Sequence, residues 1–240
     1  MLTLAPMPAN HKLHTIPSNN PIHQEESITN GGIDKLMKWA PYFIILLTAI
    51  VYTRALAGKF VFYDDDIYVL SNTYIKDFSA PSLKAIATAF YMGNYHPLTM
   101  AVYMIEYALF GLNPLPYHAL NVLLHLVNVF FTFKLTERLS NNKVVAAIVC
   151  ALFALHPMHV ESVAWVSETK DVLYASFYLA ATFAYLQYIT TPSAQRYALV
   201  VLLFVAALLS KSAAVTLPVL LLAIDFYKSR KFFAFQKVLR

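Results

Sequence analysis

Long apolar runs constrain this 240-residue chain more than any other feature. The runs 39–57, 117–135 and 172–188 approach the length of about 20 apolar residues that a helix needs to cross a hydrocarbon core about 30 Å thick. The chain is 59% hydrophobic and 13% charged, whereas soluble domains are roughly 45–50% apolar and about 25% charged. The sequence therefore predicts an all-α, polytopic membrane helix bundle.

Two further apolar stretches are less regular. The run 144–155 is short before it meets His156-Pro157, so it crosses a membrane only with little tilt or by continuing past the proline. The stretch 197–227 is either one long interrupted helix or two short spans folded back at Ser210-Lys211-Ser212.

The distribution of basic residues favours two spans over one in this last stretch. With two spans, twelve of the 18 Lys and Arg residues fall on the N-terminal side of the membrane, in keeping with the excess of Lys and Arg in cytoplasmic loops. We therefore expect about six spans with both termini cytoplasmic. The six basic residues left on the other side are Arg54, Lys59, Lys76, Lys84, Lys170 and Lys211.

This topology divides the chain into three parts. Residues 1–38 are polar and rich in proline, which predicts a disordered cytoplasmic tail. Residues 39–227 form the membrane domain, and residues 228–240 form a basic cytoplasmic tail. The long first outer loop, 58–116, contains two apolar segments, 81–92 and 97–112, that each open with a proline. We expect both segments to form helices along the membrane interface.

Three consecutive aspartates, Asp64, Asp65 and Asp66, follow the first span and lie between apolar residues. Adjacent carboxylates repel one another, and desolvation near a membrane surface perturbs their protonation further. Such a group can remove a proton from an acceptor hydroxyl. The alternative is a solvated acidic loop tip with no chemical role.

A second group of ionisable residues is predicted at the outer ends of two spans, where such groups are often functional. Two histidines and a carboxylate at its start offer ligands for a divalent metal, but their spacing matches no established metal site. We therefore assign no metal ligands, and a divalent metal stays a possible cofactor. Helix capping is the structural alternative. The group consists of His156, His159, Glu161, Glu168, Lys170 and Asp171.

The second span carries His118, Asn121, His125 and Asn128 on one helical face. Interhelical hydrogen bonding explains such a stripe best, although His118 lies nearest the outer surface and is a candidate site residue. Lys211 is predicted in an outer turn, where its ammonium either pairs with a phosphate or reaches lipid headgroups.

Several motifs follow one another along the chain and together resemble a known family. They are FYDDDIYV (62–69), HPLT (96–99), LFGLNP (109–114), YHALN (117–121), HPMHVESVAWVSE (156–168), KDVL (170–173) and SKSAAVTLP (210–218). Over about 60–227 the chain resembles the N-terminal membrane half of the transmembrane and tetratricopeptide-repeat O-mannosyltransferases and their bacterial relatives. These enzymes fall within the type C glycosyltransferase superfamily.

The resemblance implies a multi-span transferase that moves a hexose, in this family mannose, from a polyprenyl-phosphate lipid to a protein hydroxyl. Asp64 and Asp65 fall on the family's acidic motif, which implies that one of them accepts the hydroxyl proton. The remaining candidates are implied to bind the donor or its phosphate. They are Asp66, His118, His159, Glu161, Glu168, Lys170 and Lys211.

The chain departs from the family because its members continue into further spans and a repeat array, whereas this sequence ends at Arg240. We therefore expect a partner chain that supplies the missing spans or repeats, or a chain that is inactive alone. A non-catalytic membrane scaffold or a lipid-phosphate-binding protein is the alternative function. The membrane is a bacterial inner membrane or an endoplasmic reticulum membrane, and no nucleic-acid partner is expected.

Overall fold

The computed structural model describes residues 37–228, and the predicted tails 1–38 and 228–240 lie almost wholly outside these described residues. Within residues 37–228 the chain is helical and forms no β-strand. The all-α prediction is therefore confirmed. The helices are α1 (Ala40–Tyr52), α2 (Ala80–Thr88), α3 (Pro97–Phe110), α4 (Pro114–Ser140), α5 (Lys143–Leu155), α6 (His159–Ala164), α7 (Thr169–Thr190), α8 (Ala194–Ser210) and α9 (Leu217–Tyr227).

Three helical stretches among the described residues are long and apolar enough to cross a membrane: Ala40–Ala57, Pro114–Ser140 and Val166–Thr190. They coincide with the three long apolar runs of the sequence. The first continues α1 through a 3₁₀ turn, and the third adds a 3₁₀ turn before α7. The apolar helices α3, α5 and α8 and the stretch Ser212–Tyr227 are shorter. The chain is thus a membrane protein in which helix length and composition account for three spans.

The two ends of the helix bundle are chemically different. We call the end that carries Asp65 and Lys211 the site end, and the end that carries Arg138 and Lys228 the opposite end. At the site end the Ser167 amide donates to Asp65 Oδ1 over 2.8 Å. At the opposite end Lys228 Nζ donates to the Arg138 carbonyl over 3.3 Å. Helices α1, α5 and α8 run toward the site end, and α4, α7 and α9 run away from it.

The last two helices, α8 and α9, run in opposite directions and are joined by a short turn. Helix α8 ends beside the site end, where the Thr99 hydroxyl donates to the Ser210 carbonyl over 2.9 Å. The backbone breaks at Lys211, and a 3₁₀ turn, Ser212–Thr216, leads into α9. Helix α9 returns to the opposite end, where the Tyr227 hydroxyl donates to the Leu139 carbonyl over 3.2 Å. Two helices joined by a turn therefore replace the alternative of one long interrupted helix.

The polar stripe of α4 lies inside the bundle, as the helical spacing predicts. Asn128 Nδ2 donates to a carbonyl in the first turn of α7 over 3.0 Å, and Asn121 Nδ2 donates to a carbonyl just before α7, also over 3.0 Å. His125 Nε2 lies 3.1 Å from a carbonyl near the end of α5. Because a carbonyl only accepts, this Nε2 carries the proton. The stripe joins α4 to both neighbouring helices.

Helices α2 and α3 form within the first loop close to where the prolines place them. Pro97 begins α3, and Gly111 ends it with a φ of 60° that favours glycine. Helix α3 packs into the site end, because Met100 and Tyr103 are fully buried and the Tyr103 hydroxyl donates to the Val166 carbonyl over 2.9 Å. One face of α3 therefore belongs to the protein core, and an interfacial position stays a prediction for its other face.

Candidate functional site

Asp65 ties the first loop to the turn that precedes α7. Its side chain is fully buried. Oδ2 accepts from the Val61 amide over 2.8 Å, and Oδ1 accepts from both the amide and the hydroxyl of Ser167. Three donors within the protein leave this carboxylate well satisfied. We conclude that Asp65 holds two distant segments together, and its predicted role as proton acceptor stays untested.

Asp64 occupies a different environment from its neighbour. It is half-buried, and no hydrogen bond reaches its carboxylate from any residue in 37–228. The carboxylate lies close enough to Tyr68 that its charge, added to the larger effect of burial, raises the pKa of the Tyr68 hydroxyl. Of the three aspartates, Asp64 is the one that accepts no hydrogen bond at either carboxylate oxygen from residues 37–228.

Asp66 stabilises the turn that follows it through hydrogen bonds to Ser71. Its Oδ1 accepts from the Ser71 hydroxyl over 2.7 Å, and its carbonyl accepts from the Ser71 amide over 2.8 Å. These bonds close the single π-helical turn Asp66–Leu70. Asp66 therefore has a local structural role, which makes it a useful control for its neighbour Asp64.

Glu168 and Lys170 form a buried ion pair next to the ring of Tyr68. Lys170 Nζ donates to Glu168 Oε1 and to the Ser167 carbonyl, over 2.8 Å each. The same ammonium lies 5.3 Å from the centre of the Tyr68 ring, the ring that Asp64 also approaches. Glu168 and Lys170, both predicted to bind the donor or its phosphate, therefore lie in direct contact.

Lys211 pairs with Asp171 across the site end. Its Nζ contacts Asp171 Oδ1, and both side chains are partly accessible, at 32% and 24%. The charge of Asp171 also reaches Glu168, so the two ion pairs are neighbours. Two ammonium groups therefore lie on the same end of the bundle as Asp64, each held by a carboxylate.

His159 and Glu161, both predicted to bind the donor, differ in their exposure to solvent. Glu161 is exposed on α6, whereas His159 is half-buried with its ring centre 4.6 Å from that of Phe153. Burial, with the nearby His156, lowers the pKa of His159, so its imidazole is neutral at neutral pH. No cluster of three or more His, Cys, Asp or Glu side chains within 37–228 is arranged to hold a metal ion. His156, His159 and Glu161 therefore do not form the metal site that their proximity in sequence allowed.

His118 packs against the loop that leaves α1. Its ring is 2% exposed, and a Cβ added at Gly58 would lie 2.8 Å from its Cε1 and Nε2 atoms. Only glycine allows the backbone this close to the imidazole. The position explains His118 as part of the support for the first loop, and direct donor contact stays a prediction.

His96 belongs to the HPLT motif (96–99), but the sequence predicted no role for it. The side chain is 2% exposed between the rings of Tyr68 and Tyr91, whose centres lie 5.3 and 6.2 Å away. Neither ring nitrogen has a hydrogen-bond partner among the described residues. Its position beside Tyr68 brings it within reach of the charges of Lys170 and Lys211. The only sequence signal was His-Pro at the start of an apolar helix.

Stability is expected to fall on acidification because of His96. Burial, followed by the charges of Lys170 and Lys211, lowers the pKa of His96 from 6.5 to about 4. Between pH 6.5 and pH 4 the unfolded chain binds a proton at this imidazole that the folded chain does not bind. The contribution of His96 to the free energy of unfolding is therefore fully present above pH 6.5, and roughly 3 kcal/mol of it is lost as the pH falls to 4. Thermal unfolding from pH 7 to 4.5 should show a steeper decline for the wild type than for His96→Gln. An equal decline in both would contradict this assignment, and exposed His156→Gln is the control.

Comparison with known proteins finds several protein O-mannosyl-transferases that are similar to this chain. The chain is 30% identical over 149 residues to the human protein O-mannosyl-transferase TMTC1, covering 58% of this chain and 17% of the relative. It is 29% identical over 179 residues to the Drosophila melanogaster protein O-mannosyl-transferase Tmtc1, covering 71% and 21%. Human TMTC3 is 36% identical over 92 residues, covering 38% and 10%. No family model and no solved structure matches the chain.

These relatives confirm the resemblance to O-mannosyltransferases that the motifs indicate. The chain spans about a fifth or less of the length of these relatives. Similarity thus covers more than half of this chain in the first two comparisons, and only a small part of each larger relative.

Proposed function

We propose that this chain forms the donor-binding and acceptor-activating part of a membrane glycosyltransferase. On this proposal a hexose moves from a polyprenyl-phosphate lipid to the hydroxyl of an acceptor protein. The relatives are named protein O-mannosyl-transferases, so mannose is the hexose we propose. The relatives are longer than the region matched here, and the proposal concerns that region.

The observation that carries this proposal is the contrast between Asp64 and Asp65. Asp65 accepts three hydrogen bonds from Val61 and Ser167, whereas Asp64 accepts none from residues 37–228. A partly buried carboxylate that lies close to Tyr68 and accepts no hydrogen bond from residues 37–228 suits a general base. Asp65 is then a positioning residue for Asp64.

The proposed reaction is a single displacement. Asp64 removes the proton of the acceptor hydroxyl while the hydroxyl oxygen attacks the anomeric carbon of the hexose. The bond between that carbon and the phosphate oxygen breaks, and polyprenyl phosphate leaves with the electron pair. Lys170 and Lys211 stabilise the negative charge that develops on the phosphate. Glu168 orients Lys170 through their ion pair.

The other sequence candidates support the site in different ways on this proposal. His159 lines the donor side of the site, and His118 supports the first loop through Gly58. Asp66 shapes the turn beside Asp64. Glu161, exposed on α6, is available to the acceptor or the lipid headgroup. No metal takes part in the steps described.

We further propose that the chain crosses the membrane about six times, with both termini cytoplasmic. Direction alternates between the site end and the opposite end along the six helices α1, α4, α5, α7, α8 and α9. Arg138 and Lys228 both lie at the opposite end. The short helices α5, α8 and α9 cross with a modest cost of mismatch. The site end then faces away from the cytoplasm in a bacterial inner membrane or an endoplasmic reticulum membrane.

Cysteine labelling distinguishes six spans from three. With six spans, Met158→Cys is expected to react from the same side of a sealed membrane as Lys59→Cys, and Gln195→Cys from the other. With only α1, α4 and α7 crossing, Met158→Cys and Gln195→Cys exchange sides. All three positions are exposed, while the native Cys150 is buried. A membrane-impermeant maleimide applied before and after permeabilisation gives the answer, and exchanged sides would contradict the six-span topology.

The enzymatic proposal is tested by direct transfer. Membranes containing the chain are incubated with a radiolabelled polyprenyl-phosphate hexose and a Ser- and Thr-containing acceptor peptide. We expect label on the peptide above the level in membranes that lack the chain. Saturable retention of the donor without transfer would instead support the alternative, a lipid-phosphate-binding protein or scaffold that retains the fold of its relatives.

A further inference from the structure

A cavity opens beside the Lys211–Asp171 ion pair, between helices α4, α5, α6 and α7. Its volume is about 180 Å³, more than a single buried water needs and less than the roughly 300–1,000 Å³ of sites for drug-sized ligands. Residues of α6 and α7 line this cavity on facing sides, and Asp171 of the ion pair is one of them. The cavity therefore suits one small ring directly beside the ammonium group proposed to hold a phosphate.

Polar groups of both hydrogen-bonding kinds line this cavity. Asn128 is 1% exposed, and its Oδ1 has no hydrogen-bond partner among the described residues because only its Nδ2 is engaged, with Val172. An unpaired buried acceptor is costly, since its lost hydration is not replaced. The Ser162 hydroxyl donates to Asp171 Oδ2 over 3.3 Å. The half-buried, neutral imidazole of His159 adds one donor and one acceptor.

Aromatic rings complete the cavity lining. Phe153 and Tyr174 both line it. The Phe153 ring centre lies 4.6 Å from that of His159, and the Tyr174 ring centre lies 5.9 Å from Lys211 Nζ. Amide, carboxylate, hydroxyl and imidazole groups around aromatic surfaces suit a ligand whose edge carries several hydroxyls and whose ring faces carry C–H groups. A pyranose ring has this chemistry, whereas an acyl chain would leave the polar groups unpaired.

We propose that this cavity binds a single hexopyranosyl unit, with Asn128 and Asp171 accepting hydrogen bonds from its hydroxyls. The inference rests on the proposed function in one respect, because the unit is the hexose of the lipid-linked donor whose phosphate lies at Lys211. It assigns a sugar-binding role to Asn128 of α4 and Asp171 of α7, neither of which was a predicted donor-binding residue. Ala175 also lines the cavity and supplies a position at which the cavity can be filled.

The test measures sugar binding and does not depend on turnover. Saturation-transfer difference NMR on the purified chain in detergent micelles is titrated with methyl hexopyranosides of the manno and gluco series. Ala175→Leu places a larger side chain in the cavity and should weaken binding at least about 10-fold. Ala180→Leu is the matched control, because it makes the same change on α7 at a residue that does not line the cavity, and it should bind as the wild type does.

A second, gentler variant guards against misfolding of the first. Ser162→Ala removes one hydroxyl and should weaken binding about 3- to 10-fold, the range expected for one lost hydrogen bond. Equal binding by wild type, Ala175→Leu and Ser162→Ala, or the absence of a saturable sugar signal in the wild type, would overturn the proposal.

The result also separates this inference from the proposed function. If the wild type transfers hexose and Ala175→Leu binds sugar normally, the hexose lies elsewhere and the glycosyltransferase proposal stands. If Ala175→Leu loses sugar binding and the wild type transfers nothing, the sugar site stands and the catalytic proposal fails.

Discussion

Replacing Asp64 by Asn is expected to reduce hexose transfer by about 10²- to 10⁴-fold, the contribution typical of a positioned general base. An amide has the shape of the carboxylate but cannot take the hydroxyl proton at neutral pH. The loss should fall on kcat and leave the KM for the lipid donor within about 3-fold, because Asp64 acts on the acceptor and Lys170 and Lys211 hold the phosphate.

The control for this change is Asp66→Asn, two residues further along the chain. Asp66 accepts from the Ser71 hydroxyl and has no part in the proposed proton transfer, so its variant should keep transfer within about 3-fold of the wild type. Comparable rates for Asp64→Asn and the wild type would remove Asp64 from the reaction. Thermal unfolding of both variants establishes that each is folded when it is assayed.

The second large effect is on stability, from Asp65→Ala. The substitution leaves the Val61 amide, the Ser167 amide and the Ser167 hydroxyl without their acceptor. Each buried donor left unpaired costs about 1–3 kcal/mol, so we expect a loss of at least about 3 kcal/mol. In a chain of this size that lowers Tm by about 6–12 °C. Intrinsic fluorescence of Trp39 and Trp165 during heating in detergent measures the change.

Ser167→Ala separates the parts of this network. It removes one donor and keeps the two backbone amides paired with Asp65, so its cost should be about 1 kcal/mol. Asp65→Asn should cost less than Asp65→Ala, because its amide oxygen can still accept from the amide and hydroxyl of Ser167 while its amide nitrogen faces only the Val61 amide. A Tm for Asp65→Ala within about 2 °C of the wild type would show that the first loop is held by other contacts.

Much of the fold follows from local sequence signals. Pro97 and Gly111 bound α3 because one fits the first turn and the other adopts a positive φ. Asn142 caps α5 by accepting from the amides of Val144 and Val145. The spacing of polar residues on α4 predicts their interior face. Each of these signals acts within a few residues, which is why the sequence alone reveals them.

The site was less accessible to sequence reasoning, because its contacts join distant segments. Asp65 and Ser167 are 102 residues apart, and nothing local distinguishes Asp65 from the less engaged Asp64. The burial of His96 depends on rings from two other segments. The cavity beside Asp171 exists only after α4, α5, α6 and α7 pack together. The motifs indicated candidate residues, and three-dimensional packing gives those residues different surroundings.

The anomeric configuration of the product tests the central claim most directly. If Asp64 activates the acceptor hydroxyl for a single displacement, the new bond must carry the configuration opposite to that of the donor. Transfer from a polyprenyl-phosphate hexose of known configuration, followed by NMR of the glycosylated peptide, gives the result. Inversion is predicted. A product with retained configuration would contradict the account, because it requires a covalent intermediate or another nucleophile in place of an Asp64-activated hydroxyl.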